Sequence, residues 1–379
     1  MLSVSAHAQT TDVTGVVFAD ANGNGIRDAG ERTIPNVVIS NQDAVVRTDA
    51  AGSFHIARGP GGIVFVSVPD GYRSVGAFWR SSDDQNIAFA LQPAPSPKSF
   101  TFIHASDTHV SPVSIARMQH FRTMSDSLNP AFVIITGDLV KDALRVGEAE
   151  ATSYYELFAK EAAPFRNPVW TVPGNHENFG IERAKSKVSA THPLYGRAMY
   201  RHYRGPDYYS FTFGGVHFVG LNSVDIDDQS YYGHVDSLQL AWLARDLATI
   251  PAALPVVTFN HIPFYTAVET INGYSDDPPA PSIITVNGKT SFRHNVSNAR
   301  AVLELVGMNR YAMALAGHMH VREQLRYAGI PVRFYQTAAV VGMGGEGVLP
   351  FPSGITVYTV KNGIVDDGTF LPLDRAITP

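Results

Sequence analysis

Five short groups of polar residues, each placed directly after a run of apolar residues, carry the chemistry that this chain can perform. The apolar runs are FTFIHA, AFVIIT, PVWTVP, PVVTFN and AMALAG, and their length and composition are typical of buried β-strands. Because ligands collect at the carboxyl ends of parallel strands, we expect the groups to converge on one site. The groups are Asp107-Thr108-His109, Gly137-Asp138, Gly174-Asn175-His176-Glu177, Asn260-His261 and Gly317-His318-Met319-His320.

The residue types in these groups favour metal binding. Residues two apart in an extended segment point to the same side, so Asp107 and His109 can hold one ion together, whereas His318 and His320 could serve neighbouring ions. The chain of 379 residues has no cysteine, which excludes disulfides and thiolate ligands. Any metal must therefore be held by nitrogen and oxygen, which suits hard or borderline ions. The glycines beside the ligands allow tight turns and a close backbone approach.

The elements that must position these groups alternate between strands and helices after residue 100. Helical stretches are expected at about 112–127, 147–162, 236–248 and 297–308, and Asp236 is a plausible N-cap of the third. This alternation predicts an α/β architecture. Further strands in the runs VRFYQTAAV and GITVYTV should complete the second sheet of this region.

In this order, the motifs D-x-H, GD, GNHE, H and GHMH resemble those of the calcineurin-like metallophosphoesterase family, over about residues 100–370. The resemblance implies a four-layer α/β/β/α sandwich that binds two divalent ions, either Mn, Fe or Zn. His176 would not bind metal, and Asp142 would either support the site from outside the ligands or be a solvated loop acid. The implied ligands are Asp107, His109 and His320 for one ion, Asn175, His261 and His318 for the other, and Asp138 for both.

The implied reaction is hydrolysis of a phosphoric ester, either a monoester or a diester, by in-line attack of a hydroxide that bridges the metals. Two divalent ions carry four positive charges and the two aspartates carry two negative ones, so the site has a net positive charge that attracts a phosphate oxyanion. His176 would stabilise the transition state or protonate the leaving group. Purple acid phosphatases have a tyrosine three positions after the bridging aspartate. Here that residue is Lys141, so we expect no tyrosinate–iron colour.

Two long segments between the motifs, residues 178–213 and 264–296, are candidates for substrate contacts. Arginines that bind phosphate and tyrosines that stack would suit an ester substrate, and loops as long as the second segment are commonly functional. Packing near the core is the alternative interpretation of the tyrosine-rich first segment. The predicted substrate-binding residues are Arg201, Tyr265, Arg293 and His294.

Residues 11–92 differ from the rest, because apolar and polar residues alternate between Gly, Asn, Asp and Pro turns. Six short strands are predicted, in VTGVVFA, NVVISN, AVVRTD, SFHIAR, GIVFVSV and NIAFALQ. We predict an all-β sandwich here, followed by a proline-rich linker at 93–99 and the catalytic domain at 100–379. The stretch DANGNGIRDAGE at 20–31 has the ligand order of a twelve-residue calcium loop. With TDAAGSF at 48–54 it resembles the calcium-binding B-type repeats of bacterial surface proteins.

That second resemblance implies a structural calcium ion that pins a hairpin. A solvated acidic turn without metal is the alternative. Strands on both flanks of the loop argue against a regulatory switch, which needs helices that can reorient. The implied ligands are Asp20, Asn22, Asn24, the Ile26 carbonyl, Asp28 and Glu31.

Composition narrows the partners and the location. A net charge of −5 argues against a nucleic-acid partner, and no apolar run is long enough to span a membrane. Ala6-His7-Ala8 resembles the end of a secretory signal, so residues 1–10 are interpreted as a truncated signal remnant or a disordered tail. We therefore expect a periplasmic or secreted enzyme that acts on a small phosphate ester; the oligomeric state is left open.

Two other functions remain as alternatives. A nuclease of the same fold would need a local basic groove and would show salt-dependent binding to DNA. A calcium-dependent adhesion or scaffold protein with a degenerate catalytic domain would hydrolyse no phosphate ester with any metal. The complete set of metal-ligand motifs argues against the second alternative.

Overall fold

The computed structural model describes residues 12–276, 281–342 and 351–373. The predicted signal remnant at 1–10 lies outside these ranges. Within them the chain has an all-β region followed by a mixed α/β region. No helix in the described ranges is long and apolar enough to cross a membrane.

The all-β region contains eight strands among the described residues, two more than the alternation predicts. They form two four-stranded sheets with the orders β4-β1-β8-β6 and β3-β2-β5-β7. The unpredicted strands, β6 and β7, have three residues each, too few to show a period of two. The bounds are β1 (Val13–Ala19), β2 (Val38–Ser40), β3 (Val45–Arg47), β4 (Ser53–Ile56), β5 (Ile63–Ser67), β6 (Tyr72–Ser74), β7 (Trp79–Ser81) and β8 (Ile87–Pro93).

All four predicted helical stretches are present, as α1, α2, α5 and α7. The predicted cap of α5 is also confirmed, because Asp236 accepts a hydrogen bond from the Gln239 amide at 2.9 Å. The seven helices of the described residues are α1 (Ile115–Leu128), α2 (Glu148–Ala162), α3 (Arg183–Ser186), α4 (Arg197–Arg204), α5 (Ser237–Leu247), α6 (Val268–Asn272) and α7 (Ala299–Val306).

Sixteen further strands are described after residue 98. Two pairs stand apart from the main sheets as antiparallel hairpins, β14 with β15 and β17 with β18. The bounds are β9 (Ser99–Ala105), β10 (Val133–Thr136), β11 (Val169–Val172), β12 (Tyr209–Phe213), β13 (Val216–Gly220), β14 (Val224–Asp227), β15 (Ser230–Gly233), β16 (Val256–Phe259), β17 (Ile283–Val286), β18 (Lys289–Phe292), β19 (Tyr311–Ala316), β20 (Glu323–Tyr327), β21 (Ile330–Gln336), β22 (Gly354–Lys361), β23 (Ile364–Val365) and β24 (Thr369–Pro372).

Two six-stranded sheets of the described region carry the site. In the first, β11, β10 and β9 are parallel, and β22 pairs with β9 in the antiparallel sense. In the second, β13, β16, β19 and β21 are parallel between the antiparallel edge strands β12 and β20. The prediction that the runs VRFYQTAAV and GITVYTV both complete the second sheet is therefore confirmed for β21 and wrong for β22, which pairs with β9 in the first sheet.

The all-β region packs directly onto the α/β region, against both main sheets and α5. One apolar cluster contains residues of both regions, and the ring of Phe78 lies 4.9 Å from that of Tyr209 and 5.1 Å from that of Trp170. Trp242 on α5 donates a hydrogen bond to Ser40 at 3.0 Å. The predicted boundaries at 92 and 99 remain predictions, but the two regions share a core rather than being joined by a linker alone.

Candidate metal centre

The structure brings the five polar groups together where their strands end. Three of the strands are parallel neighbours in the first sheet and two are parallel neighbours in the second, so their carboxyl ends share an edge. The two sheets are connected at this edge, because the His318 amide donates to Asp107 Oδ2 at 3.1 Å. Asp107 and His109 follow β9, Asp138 follows β10, Asn175 and His176 follow β11, His261 follows β16, and His318 and His320 follow β19.

Three groups of side chains in the described residues could each hold an ion, since their donor atoms lie within 4.8 Å of one another. Two groups match the ligand sets that the resemblance implies, and Asn175 joins the second of them through Oδ1, 3.1 Å from His261 Nε2. The third group includes His176. The groups are Asp107, His109 and His320; Asp138, His261 and His318; and His109, Asp138 and His176.

The donor atoms fit divalent metal ions. His109 Nε2 is buried and has no hydrogen-bond partner in the part of the chain that the structure describes, and the buried Asp107 Oδ1 lies 3.2 Å from His320 Nε2, another predicted ligand of the same ion. Leaving such atoms unpaired is costly unless another group binds them. All the donors are carboxylate or amide oxygens and imidazole nitrogens, which suit ions such as Mn, Fe and Zn.

Backbone carbonyls orient two of the predicted ligand histidines. His261 Nδ1 lies 2.7 Å from the Thr136 carbonyl, and His109 Nδ1 lies 3.3 Å from the Lys141 carbonyl. A carbonyl can only accept, so both Nδ1 atoms carry the proton and both Nε2 atoms are left as ligands. This arrangement fixes each tautomer for metal binding.

Close backbone approach explains two of the glycines in the motifs. A Cβ at Gly174 would overlap the Asp138 carboxylate, and one at Gly317 would overlap Ser106 and lie 2.7 Å from Asp107 Oδ2. A larger residue at either position would displace a predicted ligand. The expectation that these glycines permit close approach is confirmed.

Glu177 holds two of the ligand loops together, a role that the sequence did not reveal although the residue lies within the GNHE motif. Its carboxylate accepts from the amides of Leu139, Val140 and Gly174 at 2.8, 3.0 and 2.6 Å. Burial raises the pKa of Glu177 to about 7, with the nearby Asp138 acting in the same direction. Its three amide donors follow the β10 and β11 ends, so it fixes Asp138 relative to Asn175.

Asp138 interacts strongly with the histidines around it. Burial alone would raise the pKa of Asp138, but His261 and His176 outweigh this effect and hold that pKa well below its ordinary value. His261 Nε2 lies 3.2 Å from Asp138 Oδ2, and against the effect of burial this carboxylate raises the pKa of His261 to about 9. A proton on His261 therefore competes with a metal ion for the same carboxylate.

His176 lies at the edge of the cluster with Asp142 behind it. His176 Nδ1 is 3.5 Å from Asp142 Oδ1, and its Nε2 is 3.9 Å from Asp138 Oδ2. Asp142 is held by the Leu144 amide at 3.0 Å and by Arg145 at 3.2 Å. Burial lowers the pKa of His176, but Asp138 and Asp142 raise it by more. Asp142 is therefore placed to orient His176.

The four predicted substrate-binding residues are placed differently. Arg201 pairs with buried Asp207 at 2.7 Å, so its charge is already used in packing α4. Tyr265 packs on the Phe334 ring, 4.9 Å away, rather than on a predicted ligand.

Only two of the four are connected to the centre through described contacts. The Arg293 guanidinium lies 3.9 Å from the centroid of the Tyr231 ring, and that ring lies 6.0 Å from the His318 ring. His294 contacts His318 directly, with Nδ1 2.6 Å from Nε2. Tyr231, which the sequence did not indicate, becomes recognisable as part of the site only through these contacts.

The predicted calcium loop has its carboxylates satisfied within the loop. Asp20 is buried and accepts from the Gly23 and Gly25 amides, both at 2.7 Å, while both oxygens of Glu31 accept from amides of the loop. Asn22 donates to Asp28 at 2.7 Å. Among the described residues, the side-chain groups that could hold an ion do not include this loop. The calcium ion stays a prediction.

The family profile described as calcineurin-like phosphoesterase matches residues 100–322. The chain belongs to this family. Membership establishes a metal-dependent phosphoesterase fold and explains the convergent His and Asp clusters, since the family uses divalent metal ions. The resemblance drawn from the five motifs is thus confirmed for this region, while that of the all-β region to B-type repeats stays a prediction.

Solved structures with similar folds have low sequence identity to this phosphoesterase. A dimetal phosphatase from Danio rerio is 14% identical, with a TM-score of 0.44 over 73% of this chain and 99% of that chain. GAP50, the anchor in the inner membrane complex of Plasmodium, is 13% identical, with a TM-score of 0.42 over 73% of this chain and 85% of that chain. No curated protein matches the chain.

Proposed function

We propose that this protein is a phosphoric ester hydrolase that uses two divalent ions, Mn, Fe or Zn, and acts on a small phosphate ester outside the cytoplasm. The observation that carries the proposal is the pair of His/Asp groups sharing one edge of two sheets, with Asp138 next to both. One ion would be held by Asp107, His109 and His320. The other would be held by Asn175, His261 and His318, with Asp138 bridging. We also propose the four-layer arrangement of the family, with the two main sheets inside.

When bound, the ions would lower the pKa of water and offset the charge of the phosphoryl oxygens. The chain's own contribution is to orient the ester and to handle a proton. Because His176 Nδ1 faces Asp142, its Nε2 faces the cluster and is the atom that can give a proton to the leaving oxygen. Arg145 holds Asp142 in place at 3.2 Å, so the imidazole has a defined orientation.

Arg293 is the residue that we propose binds a phosphate oxygen. Only 2% of it is exposed, and within the described ranges its Nε and Nη1 have no hydrogen-bond partner. Arginine stays charged when buried, and a buried charge without an anion is costly. Its guanidinium packs on Tyr231, whose ring contacts that of His318. A guanidinium at this place favours a doubly charged monoester over a singly charged diester.

The test is a hydrolysis screen in which metal and substrate are both varied. Metal-stripped protein is loaded with Mn, Fe(II) or Zn and assayed with p-nitrophenyl phosphate, its bis ester, a triester, nucleotides and phospholipid head groups. We expect turnover that requires metal and that Asp138→Asn abolishes. Absence of turnover on every ester with every metal would overturn the proposal and would favour a scaffold function.

A further inference from the structure

A chain of side chains connects the 264–296 segment to the candidate metal centre. His294 Nδ1 lies 2.6 Å from His318 Nε2, and the two rings stack with centroids 4.9 Å apart. On the far side, His294 Nε2 lies 3.7 Å from Glu269 Oε1. His318 Nδ1 points the other way, 3.1 Å from His261 Nε2 and into the group around Asp138. The order is therefore Glu269, His294, His318 and then the ion site.

This arrangement differs from that of two other predicted ligand histidines, His109 and His261. His109 and His261 direct Nδ1 at backbone carbonyls, which fixes their tautomers through the fold itself. His318 instead faces a side chain, His294, that lies between the β17–β18 hairpin and α7. The orientation of His318 thus depends on a segment that belongs to neither main sheet.

The contacts also determine where the protons must lie. If His318 Nδ1 is a metal ligand, its proton is on Nε2, which then donates to His294 Nδ1. His294 must in turn carry its proton on Nε2, which faces Glu269. The Glu269 residue is only 7% exposed, and its Oε2 has no hydrogen-bond partner in the described part of the chain. This buried carboxylate, 3.7 Å from His294 Nε2, favours the tautomer of His294 that carries its proton on Nε2.

We propose that Glu269 and His294 are positioning residues for the metal ligand His318, fixing its tautomer and ring orientation. The proposal rests on the proposed function, since it requires His318 to bind metal. It replaces the predicted role of His294 in substrate binding, because both of its ring nitrogens face protein groups. Partners of ligand histidines typically change metal affinity by about 10- to 100-fold when removed.

Metal affinity, measured by competition with a coloured chelator and by metal content after gel filtration, tests the proposal without relying on turnover. Zn is the probe, added to metal-stripped protein at one pH. His294→Ala should weaken binding of one of two ions by roughly 10- to 100-fold. His294→Asn keeps an oxygen that can accept from His318 Nε2, so it should recover part of the loss. Glu269→Gln, which keeps an acceptor but not the charge, should weaken binding by less than His294→Ala.

A surface pair provides the matched control. His192 Nε2 lies 3.2 Å from Glu148 Oε2, so His192→Gln removes a comparable histidine–glutamate contact and should leave Zn affinity unchanged. Equal melting temperatures of the metal-stripped variants would show that folding is intact. If His294→Ala is folded and binds both ions as tightly as the wild type, the proposal is wrong. If the wild-type protein binds no divalent ion, the proposed function itself has failed.

Discussion

The buried carboxylate of Asp207 should make the junction between the two regions sensitive to acid. Asp207 accepts hydrogen bonds from Arg201 at 2.7 Å, from Asn222 at 3.0 Å and from Gln42 of the all-β region at 3.0 Å. Burial alone would raise the pKa of Asp207, but Arg201 and Arg197 outweigh it and lower that pKa from 3.8 to about 2. The folded protein therefore holds this group in its charged form.

The sign of the pH effect follows from this lowered pKa. A carboxyl group whose pKa is lower in the folded state stabilises the protein fully above its unfolded pKa, here 3.8, and loses that contribution as the pH falls towards 2. This difference between the unfolded and folded pKa of Asp207 contributes about 2 kcal/mol to the free energy of unfolding at pH 7, and roughly half of that contribution should be lost by pH 3. The loss should be confined to the window between about pH 5 and pH 2.

Urea unfolding of the wild type and Asp207→Asn at pH 7, 5, 4 and 3 tests this reasoning. At pH 7 the variant should be less stable by about 2–3 kcal/mol, because the partly buried Arg201 loses its carboxylate partner and Arg197 loses one of its three. The stability difference between wild type and variant should narrow by about 1 kcal/mol between pH 7 and pH 3, since asparagine does not titrate. Asp227→Asn, at an exposed position, should track the wild type. A gap that stays constant with pH would refute the assigned pKa.

Three further predictions concern the centre and the loop. Asp138→Asn and His176→Ala should each lower kcat by about 100-fold or more. Only Asp138→Asn should also reduce the amount of bound metal, measured by elemental analysis. Normal turnover in either variant would contradict the role assigned to that residue. Arg293→Ala should raise KM for p-nitrophenyl phosphate by about tenfold or more, and KM for the bis ester by less, because the lost positive charge matters more for a dianion. Equal increases of KM for the two esters would exclude recognition of the substrate charge by Arg293. Asp20→Ala should lower Tm by more in calcium than in chelator, because the loop's amide hydrogen bonds are lost in both conditions and the ion only in calcium, and it should leave kcat unchanged. Lost turnover at constant Tm would argue against a structural ion.

The main elements were predictable because their signals are local. An apolar run that ends in a polar group indicates a buried strand and its carboxyl end, and Asp236 indicates the start of α5. The position of β22 was not predictable in the same way. It pairs with β9, far away in the sequence, in the antiparallel sense, and nothing in GITVYTV distinguishes that partner from a strand of the second sheet.

The limits are clearest for side chains outside the motifs. Arg201 and Arg293 look equivalent in sequence, because each is a basic residue among aromatic residues in a long segment. The fold gives Arg201 a carboxylate partner in Asp207 and leaves Arg293 against the Tyr231 ring. Glu269 carries no recognisable motif at all, since its contact with His294 exists only once the segment folds back on itself.

The backbone around the predicted ligands is held by hydrogen bonds within the chain. Left-handed backbone conformations cost roughly 1–3 kcal/mol each in residues other than glycine, so they persist only where the surroundings enforce them. Here the Asp107 and His109 amides donate to the Gly137 and Asp138 carbonyls, and the Glu177 carboxylate binds three amides of the neighbouring loops. A site held in this way is preorganised, unlike small domains that fold only around their metal. The predicted ligands with left-handed φ are Asp107 (54°), His109 (37°), Asp138 (47°), His318 (74°) and His320 (56°).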